Sequence, residues 1–157
     1  MPTLDDIYRK FGETAEAAKL IETELGTLLF EDRAVGEGLL AEPNPKLATD
    51  LYGRINRNTL GQLIKCLNNN TQSLDALDAL LTSARQERNR LFHSFYRQHN
   101  FRRNSNEGRT IMLNDLESLH NTLLQAYKAI MLLSGVDLEA LAAGGEHELP
   151  TVHLPIR

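Results

Sequence analysis

At 157 residues, 41% hydrophobic and 24% charged, the chain has the size and composition of one soluble globular domain, since two independent cores would need more residues and a disordered polymer fewer apolar ones. Its longest apolar run, Ala129 to Leu133, is far short of a membrane span; Met1 to Asp6 carry no signal-peptide pattern; and a single cysteine, Cys66, excludes an intrachain disulfide, so a reducing cytoplasm is the expected compartment. The net charge of −4 conceals an island in which Arg85, Arg88, Arg90, Arg97, Arg102, Arg103 and Arg109 meet only Glu87 and Glu107, leaving +5 there and −9 elsewhere; such an island faces a polyanion or acidic partner unless its arginines pair with acids elsewhere in the fold.

The first helix is predicted over about 4 to 30, where Leu4, Ile7, Tyr8, Phe11, Ala15, Ala18, Ile21, Leu25, Leu28 and Leu29 form one apolar stripe. From Glu31 to Gly53 that pattern gives way to Gly36, Gly38, Pro43, Asn44 and Pro45, which predicts a long connection because proline removes amide donors and constrains the preceding residue. Leu60, Leu63, Ile64 and Leu67 mark a second, shorter helix ended by Asn68-Asn69-Asn70, whose side chains compete for backbone hydrogen bonds. A third, capped by Ser73, carries Leu74, Leu77, Leu80, Leu81, Ala84, Leu91, Phe92 and Phe95 to about His99.

Asn100 to Gly108 has turn composition and predicts a loop. In the fourth helix Met112, Leu116, Leu119, Leu123, Ala126, Ile130 and Leu133 keep an unbroken seam of three- and four-residue steps up to Gly135, which suits a terminating glycine. A helical turn over Asp137 to Ala143 follows. The reading is therefore all-α: an up-and-down bundle of about four main helices with a short C-terminal helix, in one domain over 1–143, with a tail over 144–157 containing Pro150 and Pro155.

The sequence lacks GxxxxGK[ST], GxGxxG, HExxH, CxxC and GxSxG patterns, which removes nucleotide-fold, zincin and elbow-serine chemistry. Cys66 reads as a structural thiol in an apolar helical setting, and His147 and His153 lack acidic or cysteine partners at metal-ligand spacing, so no metal or other cofactor is expected. What remains is Arg88-Asn89-Arg90-Leu91-Phe92-His93 within the basic island. At about 100° per residue Asn89 and His93 share a helix face, continued by Tyr96 and Arg97, with Arg88 flanking it. Guanidinium groups neutralise phosphate oxygens bidentately and an imidazole titrates near neutrality, so the strip suits a phosphodiester. A metal is unnecessary if the nucleophile is an internal 2′-hydroxyl, which only RNA has.

This R-N-x-x-x-H pattern resembles the motif of the HEPN superfamily, small helical bundles many of which are metal-independent ribonucleases; the specific match covers about six residues. Chance alone gives roughly 0.03 expected matches to the arginine-asparagine-histidine pattern at this composition. The resemblance implies that Arg88 and His93 are catalytic with Asn89 supporting them, and that two copies form a cleft across a homodimer. It further implies a toxin or defence effector with a cognate protein partner, an antitoxin or a nucleotidyltransferase-type protein. The toxin subgroup with that second kind of partner has a tyrosine two positions after the histidine; here that position is Phe95, and Tyr96 comes one later. Around the cleft, Tyr96, Arg97, Arg102, Arg103 and Arg109 are expected to bind RNA, the arginines through its phosphates.

Two other readings need no catalysis. One is a helical adaptor or antitoxin-like protein that dimerises through the heptad face of the fourth helix and holds an acidic partner with its arginines; without catalysis, Arg88 serves as an interhelical salt-bridge partner of an acid on the first or fourth helix and His93 as a helix residue hydrogen-bonded to a neighbour. The other is a nonspecific nucleic-acid binder, against which the overall acidity and the lack of an aromatic stacking platform in the sequence both count.

Overall fold

The computed structural model describes residues 1–64 and 75–144. Cys66, the Asn68-Asn69-Asn70 stop, the Ser73 cap and the tail with His147 and His153 lie outside them. Every regular element among the described residues is helical: α1 (Leu4–Gly36), α2 (Pro45–Asn56), α3 (60–64), α4 (Asp75–His93), α5 (Phe95–His99), a 3-10 turn (Asn100–Asn104), α6 (Asn106–Leu133) and α7 (Leu138–Ala143). None of these helices is long and apolar enough to cross a membrane.

α1 opens on a capping box, in which Thr3 Oγ1 accepts from the Asp6 amide and the Asp6 carboxylate accepts from the Thr3 amide at 2.8 Å. It runs six residues beyond the expected end, to Gly36, because Ala34 still packs inward and the stop is set by Gly38. Gly38 has φ +70°, and the amides of Gly38 and Leu39 return to the Val35 and Ala34 carbonyls. Gly135 closes α6 in the same way, with φ +78° and the Val136 amide on the Met131 carbonyl, as the sequence predicted.

The long connection predicted from Glu31 to Gly53 is corrected by α2. Asn44-Pro45 starts a helix rather than excluding one: the Asn44 side chain accepts from the Leu47 amide at 3.1 Å, and Pro45 occupies the first helical position, where no amide donor is needed. Leu51 and Ile55 bury the inner face of α2 against α1. Thr59 and Gln62 form a second reciprocal cap at the start of α3, through the Thr59 amide on Gln62 Oε1 at 2.7 Å.

The predicted third helix is broken at Ser94 into α4 and α5, although the Ser94 and Gln98 amides still find the Arg90 and Ser94 carbonyls. Much of the predicted loop after it is also ordered. The chain turns through Asn100, at φ 25°, into the 3-10 turn, and Ser105 caps α6 by accepting from the Gly108 amide at 3.0 Å.

α1 and α6 share the most extensive interface and run parallel: the Arg109 side chain bonds the Pro2 carbonyl, Lys10 bonds His120, and Ser134 bonds Glu24. α4 runs antiparallel to both, with Arg88 beside Glu22 and Arg90 beside Asp115. The seam predicted on α6 is the core's spine from Met112 through Leu116, Leu119, Leu123 and Ala126 to Ile130, all buried; Leu133, expected to continue it, is exposed instead at the last residue of the helix. The larger apolar cluster lies toward the C-terminal half of α1. The smaller, around Ile7, Leu91, Phe95 and Met112, lies beneath the basic island.

Candidate functional site

α4 and α5 carry the strip on the outer side of the smaller cluster. Leu91 and Phe95 bury the inner face, which turns Asn89, His93 and Arg97 outward as exposed side chains. His93 has no hydrogen bond or ion pair among the described residues. Phe92, expected in the apolar stripe, instead stands 41% exposed with the Arg88 guanidinium 5.1 Å above its ring.

Arg88 is held by two side chains, Glu22 and Asn89. Its Nε donates to Glu22 Oε1 at 3.1 Å, its Nη2 lies 3.1 Å from the same oxygen, and its Nη1 donates to Asn89 Oδ1 at 3.2 Å. Lys19 secures the other Glu22 oxygen. At most three of the five guanidinium N–H groups face these partners, so at least two remain to bind an anion. Asn89 thus orients Arg88, and the interhelical bridge weighed from the sequence is present, its acid coming from the first helix.

The remaining arginines divide. Arg97 is exposed and makes no bond among the described residues. Arg103 donates to the Tyr8 hydroxyl at 3.2 Å and Arg102 to His99 Nδ1 at 3.1 Å, both residues being exposed overall. Arg109 is engaged internally, on the Pro2 and Arg103 carbonyls and the Asn106 side chain, tying the N-terminus to the start of α6. Arg90 faces inward and donates bidentately to Asp115, both contacts 2.8 Å, while its Nε bonds Glu87.

Asp115 and His99 are the residues that sequence reasoning missed. His99 is 3% exposed. Its Nδ1 accepts from Arg102, so Nε2 carries the proton and donates to Asp115 Oδ2 at 2.6 Å. One carboxylate therefore brackets the Ser94 break, gripping α4 through Arg90 and α5 through His99. The Arg90 bonds, and secondarily the His99 bond, hold the Asp115 carboxyl below its ordinary pKa; in turn the bonds to Asp115, and secondarily to Glu87, push the Arg90 guanidinium up. A histidine in a basic turn and an aspartate sixteen residues on were the available signals, and neither stands out from the chain's other polar residues.

The strip itself is open surface. A groove between α1 and α6, lined by Arg9, Lys10, Glu13 and Glu117 among others, includes none of Arg88, Asn89 and His93. Among the described residues no group of three or more His, Cys, Asp or Glu could hold a metal ion. Compared with known protein families, curated proteins and solved structures, the chain finds no match in any of the three.

Proposed function

We propose that the chain is a metal-independent endoribonuclease of HEPN type whose catalytic residues are Arg88 and His93, with Asn89 positioning the arginine, and that two copies related by a twofold face these strips across a cleft. The observation that carries this reading is an exposed imidazole without a hydrogen-bond partner among the described residues, on the same helix as a guanidinium fixed by Glu22 and Asn89 that keeps further donors. A second copy supplies the concavity that one strip lacks.

In the reaction, His93 takes the proton of an RNA 2′-hydroxyl. The oxygen attacks the adjacent phosphorus, and Arg88 stabilises the charge on the phosphoryl oxygens. The P–O5′ bond breaks and the leaving 5′-oxygen takes a proton from the second copy's protonated imidazole. A 2′,3′-cyclic phosphate remains upstream and a 5′-hydroxyl downstream.

The test is cleavage of single-stranded RNA in EDTA by the wild type, His93→Ala and Arg88→Ala, with light scattering on each. Dimeric wild type that cuts, and dimeric variants that do not, support the reading; a monomer, or His93→Ala cutting at the wild-type rate, refutes it. The resemblance sets such a nuclease among toxin and defence effectors, for which growth arrest on expression, relieved by His93→Ala, is the expected phenotype.

The Arg88–Glu22 bridge favours a second reading, a non-catalytic helical interaction protein in which Arg88 joins α4 to α1. Intact folding with no cleavage of any RNA supports that one.

A further inference from the structure

Beside the strip lies an aromatic surface assembled from residues far apart in the chain. Tyr8 on α1 and Tyr96 on α5 are 47% and 43% exposed. Phe11 joins them, its ring centroid 5.4 Å from that of Tyr96 with the planes 34° apart. Beneath both, Phe95 is fully buried, 5.9 Å from Phe11 and 5.3 Å from Tyr96, so the surface rings rest on a rigid floor. Arg103 reaches the rim through its bond to the Tyr8 hydroxyl, and the most exposed ring among the described residues, Phe101, is on the same turn as Arg103. Burial and the nearby Tyr8 phenol push the Tyr96 phenol up, so it is neutral at physiological pH and does not repel an anion.

We propose that Tyr8, Phe11 and Tyr96 form a stacking platform for an unpaired nucleobase, with Arg103 and Arg97 taking the flanking phosphates. The occupant is single-stranded nucleic acid because exposed rings stand beside guanidinium groups that form no ion pair among the described residues, Arg103 at the Tyr8 hydroxyl and Arg97 next to Tyr96 in the chain. That pairing matches the apolar base faces and charged backbone of such a strand. A buried protein contact would leave those charges unmatched. Tyr96 follows His93 by three residues across the Ser94 break, a stretch of chain that spans at most about 10 Å, so a base seated there belongs to a nucleotide near the phosphate at Arg88 and His93. This deepens the ribonuclease reading and rests on it for the chemistry, though not for the binding: stacking uses neither the 2′-hydroxyl nor His93.

The experiment uses the full chain and a short single-stranded RNA, 2′-O-methylated throughout so that the proposed reaction cannot cut it, with 2-aminopurine at its centre. Binding should quench the 2-aminopurine, and replacing that base by an abasic residue should weaken binding about tenfold. Tyr96→Leu and Tyr8→Leu should each weaken it about as much, while Tyr96→Phe, which keeps the ring, binds as wild type. Affinity indifferent to the abasic replacement overturns the platform without any variant being needed, and so does an absence of binding. Unmodified RNA is assayed in parallel. Cleavage that depends on His93 but not on the base removes the platform and leaves the nuclease; base-dependent binding without cleavage does the reverse.

Discussion

Asp115→Asn is the most informative single change, because one carboxylate holds both sides of the Ser94 break. The carboxylate receives two charge-assisted bonds from Arg90 at 2.8 Å and one from His99 at 2.6 Å. An asparagine side chain offers one acceptor oxygen and turns an NH2 donor toward groups that can only donate there. Bonds to charged groups contribute about 1.5–3 kcal/mol each, reduced at this site because both side chains keep about a quarter of their surface in water. The net loss comes to about 3 kcal/mol, or a fall in Tm of about 9 °C for a chain of this size. Thermal unfolding followed by circular dichroism at neutral pH measures it directly. The pH dependence is specific: a carboxylate held below its ordinary pKa contributes stability that is complete above the unfolded value of 3.8 and disappears as pH falls through the lower folded value. The gap between wild type and variant should therefore close in acid. A Tm difference under about 2 °C at neutral pH, or a gap that persists unchanged well below pH 3.8, would refute the bracket.

Gly108 has no room for a side chain: a Cβ there would overlap the Arg102 carbonyl oxygen, so Gly108→Ala should cost about 3 kcal/mol in denaturant unfolding, and a loss below about 0.5 kcal/mol would mean that the 3-10 turn does not pack on α6. For the Arg88–Glu22 bridge, a double-mutant cycle with Glu22→Gln and Arg88→Met should return a coupling of about 1 kcal/mol, and zero coupling would show that Arg88 is not held by α1. RNA binding through Arg88, Arg97, Arg102 and Arg103 should give a plot of log affinity against log salt with a slope of about −3; a flat plot would assign those arginines to protein contacts.

What could be read from the sequence is what depends on neighbours three or four residues away. The apolar steps of α1 and α6, the stop at Gly135 and the outward strip of Asn89, His93 and Arg97 all follow from helical periodicity, which a linear chain displays openly. Local chemistry was also present at Asn44-Pro45, but a proline that starts a helix and one that ends it look alike until the capping bond from Leu47 is formed. Only the tertiary structure decided which charges are free. The arginines of the basic island differ in their company, from Arg97, exposed, to Arg90, locked on Asp115, because their partners come mostly from other elements. The aromatic platform was invisible for the same reason. Tyr8 and Phe11 stand some 85 residues before Tyr96, and they share a surface because α4 folds back antiparallel to α1. Sequence periodicity says which face of each helix is buried; it does not say which two outward faces end up side by side.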